Sequence, residues 1–168
     1  LNTNENPYQP SPLVGKAISN EVVSNLRLYP DPDNFVLREA IAQHHGVSRD
    51  NVFVGNGSDE VLAHSFQAFF KKDLPIFFPD VTYSFYPAYC NLFNIVYREI
   101  ELDDRFGIRL DDYFRPNGGI ILPDPNAPTG RMLEDGGVNT ILSKNKDSIV
   151  IVDQAYVEFG GVSLIPLI

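Results

Sequence analysis

The sequence predicts an α/β domain, a three-layer α/β/α sandwich around a mostly parallel sheet. Three observations predict it. Short apolar runs alternate with stretches of helical periodicity from residue 51 onward. The run Ile149-Val150-Ile151-Val152 is wholly β-branched and lacks polar alternation, as suits a strand buried on both faces. Polar residues gather in three loops that follow strands, where parallel sheets collect their ligands.

The elements follow in order. The first dozen residues are rich in Asn and Pro and read as an extended arm. Ser11-Pro12 reads as an N-cap with Pro at the first helical position. Val14, Ile18, Val22 and Leu26 then recur at helical spacing. After the proline-rich loop Leu28–Asp33, Asp33 is placed to cap a helix through Val36, Leu37, Ala40 and Ile41, closed by Gly46. Asn51–Val54 reads as a short strand, and Ser58 starts a helix through Phe69. Leu74–Phe78 is a strand, Tyr83–Phe93 a helix, Ile95–Leu102 a strand and Gly119–Leu122 a buried strand. A helix around Val138–Leu142 leads into the strand Ser148–Val152. Gly136-Gly137 fits this rhythm badly, since each Gly costs a helix interior about 1 kcal/mol.

Composition narrows the function. The 168 residues make one domain or a piece of a larger one. With 43% hydrophobic and 21% charged residues the chain is globular rather than disordered. A net charge of −9 makes it a poor binder of nucleic acid or of an anionic membrane. One cysteine excludes an internal disulfide framework, and no Cys/His cluster suggests a metal site. No apolar run approaches the roughly 20 residues that cross a bilayer. No signal peptide is visible, so cytoplasmic residence is the default expectation. Leu1 at the start and the apolar end Leu164–Ile168 suggest a fragment.

The three loops carry the candidate chemistry. Gly55-Asn56-Gly57-Ser58-Asp59-Glu60 joins a strand to a helix N-terminus, a natural anion site, although an ordinary capped turn is the alternative. Asn126, in Pro125-Asn126-Ala127-Pro128-Thr129-Gly130, offers a fixed amide or a plain Asx turn. Asp153 closes the β-branched strand, half-buried, and needs a positive partner or several hydrogen bonds; a helix N-cap is the alternative. Tyr156 stands three residues on. Tyr83, Tyr86 and Tyr89 share helical spacing and read first as core packing, and Cys90 as a small buried hydrophobe. His44, His45 and His64 read as structural.

Taken together, Gly57-Ser58-Asp59-Glu60, Pro79-Asp80-Val81-Thr82-Tyr83, Pro125–Gly130 and Asp153-Gln154-Ala155-Tyr156 resemble the fold-type I pyridoxal-phosphate aminotransferases across the whole chain. Asn4-Glu5-Asn6-Pro7, Leu28-Tyr29-Pro30-Asp31-Pro32 and Tyr156-Val157-Glu158-Phe159 are similar to the histidinol-phosphate aminotransferase subfamily. The resemblance implies a homodimeric enzyme with pyridoxal 5'-phosphate as cofactor. It would move an amino group between histidinol phosphate and 2-oxoglutarate in histidine biosynthesis. Another aminotransferase of the group, a phosphate-amine decarboxylase, or a non-catalytic domain that dimerises or binds a phosphate ligand are the rival readings.

The resemblance also assigns roles. Asp153 would pair with the pyridine nitrogen and keep the ring an electron sink. Asn126 and Tyr156 would hydrogen-bond the ring's 3′ oxygen, Tyr83 would stack on the ring, and the N–H groups of Ser58 and Asp59 would hold the phosphate. Tyr29 would reach the phosphate of the neighbouring subunit's cofactor. Asn6 and Tyr8 would line the substrate pocket. Residues 1–32 would form an arm, helix and loop, and residues 33–168 an incomplete cofactor-binding large domain. The resemblance puts the Schiff-base lysine beyond the Asp153–Tyr156 motif in a Ser-Lys context, and it is expected beyond Ile168, because Lys16, Lys71, Lys72, Lys144 and Lys146 all precede that motif. The substrate-carboxylate arginine is missing too, and Gln154 stands where the family usually has Glu.

Overall fold

Side chains alternate in and out along each strand, and here both faces are apolar. Strand β1 (Ile76–Pro79) sends Ile76 and Phe78 to one face and Phe77 to the other. Strand β3 (Ile120–Pro123) sends Ile121 to the first face and Ile120 and Leu122 to the second. With β2 (Tyr97–Ile100) and β4 (Val150–Asp153) they form a parallel sheet in the order β2-β1-β3-β4. A sheet buried on both faces needs a helical layer on each side. The computed structural model, which describes residues 4–18, 20–70 and 73–168, has both. Helices α4 (Gly57–Phe69) and α5 (Phe85–Phe93) supply Leu62, Phe66, Tyr86, Tyr89 and Cys90 to the first face. Helix α6 (Gly137–Lys144) supplies Ile141 to the second, beside Leu110 and Tyr113 of a 3-10 turn. This is the expected three-layer α/β/α arrangement. The labels α1, α2 and α3 belong to Pro12–Ala17, Asn20–Asn25 and Phe35–His45.

Polar ties close the sheet's amino edge. The buried Asn117 amide donates to Asn145 Oδ1 at 2.9 Å and to the Arg115 carbonyl, and its oxygen accepts from Gly119. This fixes the turn before β3 against the end of α6, and leaves no buried amide group of the pair unsatisfied.

The chain divides into two compact units, Leu1–Val52 and Phe53–Ile168. The sheet lies in the second. In the first, Ser11 Oγ accepts from Leu13 N as the cap of α1, with Pro12 at the first position, as expected. The apolar spacing from Val14 to Leu26 does not make one helix: Ile18 leaves helical geometry and caps α1, and α2 starts anew. Ser19 lies outside the described residues. The cap of α3 is also reassigned. Asn34 sits there in the left-handed region, and Asp31, not Asp33, accepts from Phe35 N at 2.7 Å and from Asp33 N. Asp31 is two residues further back, which lets both oxygens reach the turn's donors. Gly46 closes α3 at φ +68° as expected.

Asn51–Val54 forms no strand. Arg49–Asn51 is a 3-10 turn, and the Val52 carbonyl accepts from Arg38 Nε at 2.8 Å instead of from a neighbouring strand. The remaining expected strands and helices are present with ends shifted by at most two residues. Gly136 explains the misfit before α6. It is the N-cap, at φ +76°, where an L-side chain would be strained, so the glycine pair opens the helix rather than interrupting it.

Candidate functional site

The parallel register aligns the carboxyl ends of the strands, with Pro79 opposite Ile100 and Pro123 opposite Asp153. A crevice opens along this edge, lined by Ser58, Tyr83, Pro123, Ala127, Asp153 and Tyr156 among others. Four of the residues singled out in the sequence, Ser58, Tyr83, Asp153 and Tyr156, thus share one cavity.

One wall is the N-terminus of α4. The first N–H groups of a helix have no intrahelical acceptor. Gly57 N turns back to the Gly55 carbonyl, and Glu60 accepts from Asn56 N, which leaves the N–H groups of Ser58 and Asp59 outside the helical ladder. Unpaired N–H groups and the helix dipole together favour an anion here. The Asp59 carboxylate is turned to α5: its Oδ1 accepts from Tyr83 Oη at 2.6 Å and from Tyr89 Oη at 3.3 Å.

The opposite wall carries Asp153. Its Oδ2 accepts from Tyr86 Oη at 2.8 Å and its Oδ1 from Ala155 N at 3.1 Å. Each carboxylate oxygen offers about two acceptor positions, so one remains on each. Asp153 has no ion-pair partner among the described residues.

Tyr83, just ahead of α5, and Tyr86 and Tyr89 on it carry three hydroxyls toward Asp59 and Asp153. Burial, and after it the Asp59 carboxylate, push the Tyr89 phenol up to about 12. Burial first, then Asp59, raise Tyr83, and burial first, then Asp153, raise Tyr86 further above the ordinary tyrosine range. All three therefore remain hydrogen-bond donors at neutral pH. Cys90 beside them is fully buried, its thiol pushed up to about 12 by burial.

Asn126 is placed differently. It is buried, 2% exposed, in sequence between the crevice-lining Pro125 and Ala127. Its amide donates to the Val81 carbonyl at 2.9 Å and accepts from Thr82 Oγ1 at 3.1 Å. It ties the β3 loop to the segment that ends in Tyr83. Asn6, Tyr8 and Tyr29 belong to the first unit, and Tyr8 and Tyr29 are exposed. Sequence reasoning missed Tyr86 and Thr82 as polar partners of the site. The three-residue spacing of the tyrosines was the available signal. Among the described residues there is no cluster of three metal-ligating side chains, and no helix is long and apolar enough to cross a membrane.

The sequence profile of the family described as Aminotransferase class I and II matches residues 1–166. The chain belongs to that family. Among curated aminotransferases it is 61% identical over its whole length to histidinol-phosphate aminotransferase 2 of Thiobacillus denitrificans and 59% identical to histidinol-phosphate aminotransferase 1 of Methylococcus capsulatus. It spans about half the length of these relatives, 47% of each. The aminotransferase fold is also that of the histidinol-phosphate aminotransferase from Sinorhizobium meliloti solved in complex with pyridoxal-5'-phosphate. The likeness has a TM-score of 0.83 at 22% identity, over 92% of this chain and 43% of that one. The enzyme of the same name from Clostridium acetobutylicum has a TM-score of 0.74 at 23% identity, over 83% of this chain and 42% of that one.

Proposed function

We propose that this chain is the cofactor-holding part of a histidinol-phosphate aminotransferase. The enzyme would exchange an amino group between histidinol phosphate and 2-oxoglutarate in histidine biosynthesis, as a cytoplasmic homodimer with pyridoxal 5'-phosphate. One observation carries the reading: a crevice with an unpaired carboxylate, Asp153, on one wall and a helix N-terminus with open N–H groups on the other. A flat ring with a cationic nitrogen at one end and a phosphate at the other matches both walls in charge. The residues therefore fit this cofactor.

In this reading the chain's own groups divide the work. Asp153 holds a proton at the ring nitrogen, using the acceptor positions that Tyr86 and Ala155 leave open. The N–H groups of Ser58 and Asp59 hold the phosphate. The Tyr83 ring, already stacked on Phe85 at 5.5 Å, packs against the cofactor's face. The Tyr156 hydroxyl and the second amide N–H of Asn126 donate to the 3′ oxygen. Bound there, the cofactor supplies the electron sink that amino exchange requires. Tyr29 serves the phosphate site of a second copy, and Asn6 and Tyr8 line the substrate pocket. Residues 1–32 are the arm, helix and loop, and residues 33–168 the cofactor domain. No lysine lines the crevice; Lys71 and Lys72 lie outside the described residues. The amine that anchors the cofactor then comes from sequence beyond Ile168.

The test is an assay of the intact enzyme, loaded with cofactor and given histidinol phosphate and 2-oxoglutarate. Glutamate formation is expected, with Asp153→Asn lowering turnover at least a hundredfold. Carbon dioxide release in place of glutamate, or exchange with aromatic amino acids alone, would overturn the substrate assignment.

A further inference from the structure

Among the described residues Asp153 has no ion-pair partner, so its orientation rests on neutral donors. Two are present, Tyr86 Oη on Oδ2 and Ala155 N on Oδ1. The backbone donor is local and two residues away. The tyrosine reaches from the far side of the sheet's carboxyl edge, from α5, across 67 residues of sequence. Its ring is fully buried and fixed on three sides. Phe66 stacks on it at 5.9 Å, Phe78 meets it edge-on at 5.8 Å and Tyr83 edge-on at 5.7 Å. A ring so packed has one position for its hydroxyl, and the hydroxyl has one strong acceptor.

We propose that Tyr86 is a positioning residue for the aminotransferase reaction: its hydroxyl sets the plane of the Asp153 carboxylate and leaves one acceptor position of each oxygen directed to the crevice. The inference rests on the reading of Asp153 as the partner of the cofactor's ring nitrogen, and adds to it what holds that partner in place. Burial, followed by the Asp153 charge, raises the Tyr86 phenol well above its ordinary value, so the donor persists wherever the enzyme works. Phenylalanine at this position keeps the three ring contacts and removes only the hydroxyl.

A double-mutant cycle on the intact enzyme tests it, using Tyr86→Phe, Asp153→Asn and the pair. Two quantities are read: turnover, and the affinity of the apo-protein for pyridoxal 5'-phosphate by fluorescence titration. Thermal unfolding of each apo-protein reports whether the fold is kept. Tyr86→Phe is expected to lower turnover about tenfold and cofactor affinity severalfold in the wild-type background. It should change neither further once Asp153→Asn has removed the charge. A purely structural tyrosine would lower both backgrounds by the same factor, and that additive result overturns the proposal. So does a Tyr86→Phe enzyme with unchanged turnover and affinity beside an impaired Asp153→Asn enzyme, a pattern that leaves the proposed function standing. An Asp153→Asn enzyme as active as wild type removes the role of Asp153 itself, and the role of Tyr86 falls with it.

Discussion

The phenol of Tyr83 donates to Asp59 Oδ1 across 2.6 Å, joining the crevice wall just ahead of α5 to the first turn of α4. Asp59 sits where its own N–H is open to an anion, so its carboxylate, like that of Glu60 beside it, would repel a phosphate there. The hydrogen bonds from Tyr83 and Tyr89 draw that charge toward α5. Tyr83→Phe keeps the ring and releases the carboxylate on one side. The expected result is a three- to tenfold loss of affinity for pyridoxal 5'-phosphate in the intact enzyme, with a stability loss of about 1 kcal/mol. Unchanged affinity in the same titration would show that Asp59 does not face the phosphate.

The tyrosine row also sets the alkaline limit of stability. Burial raises Tyr83, Tyr86, Tyr89 and Tyr113 above the unfolded value of 10.0, Tyr89 to about 12, and raises Cys90 from 9.0 to about 12. Below pH 9 these groups are protonated in both states and their contribution is complete. Above pH 9 for Cys90, and above pH 10 for the tyrosines, the unfolded chain releases protons first. Stability then falls up to about pH 12, by at most about 1.4 kcal/mol per pH unit for each group. Urea midpoints from pH 8 to 11.5 should be level and then decline. The Tyr113 hydroxyl is buried without a hydrogen-bond partner. Tyr113→Phe should therefore leave the pH 8 midpoint level or raised, and make the alkaline decline shallower. A lower midpoint at pH 8 would contradict the orphaned hydroxyl.

A close backbone approach decides a third expectation. A Cβ on Gly118 would stand 2.1 Å from the Leu74 carbonyl oxygen, a backbone atom that cannot swing aside. Gly118 N also donates to the Pro75 carbonyl at 2.8 Å, which pins the two segments together just before β1 and β3. Gly118→Ala should cost about 2–4 kcal/mol in chemical denaturation. At Gly15, inside α1, a Cβ meets nothing within 4 Å, and the same change should cost nothing and stabilise by up to about 1 kcal/mol. Equal costs at the two positions would rule out the contact as the cause.

Much of the fold was legible because the strands are buried on both faces. Ile120, Ile121 and Leu122 are apolar without alternation, and only a covered parallel sheet asks for that. Asn51–Val54 misled because apolar content alone does not supply a pairing partner, and here Arg38 occupies the Val52 carbonyl. Asp31 and Asp33 are equivalent to a propensity rule, and only the left-handed Asn34 decides between them. At the site, Asp153 was legible as a polar group closing a strand, and the Ser58 turn as a loop opening a helix, although the strand expected before it does not form. Tyr86 was not, because its helix spacing says only that it faces inward. Whether an inward tyrosine meets a carboxylate depends on contacts 67 residues apart.

The last expectation concerns the 168-residue chain by itself. Its crevice has a charge partner for the ring nitrogen, open N–H groups for the phosphate and the Tyr83 ring, but no lysine among its lining residues. Pyridoxal 5'-phosphate can then be held only non-covalently. One charge-assisted hydrogen bond contributes roughly 1.5–3 kcal/mol, and a few of them give weak binding once ordering is subtracted. Among the described residues strand β4 pairs only with β3, which leaves its other edge for strand addition. Ile149, Val162 and Ile168 are exposed, and in the first unit Leu13, Leu26 and Tyr29 are as well. Apolar surface of this kind favours association. The isolated chain should therefore bind the cofactor with a Kd of about 0.1 mM or weaker, form no covalent adduct on borohydride treatment at a crevice residue, and show no amino exchange. Light scattering should find it larger than a monomer. Retention of the cofactor after borohydride and unfolding, with a label mapped to a lysine of this chain, would show that one of its own amines reaches the site.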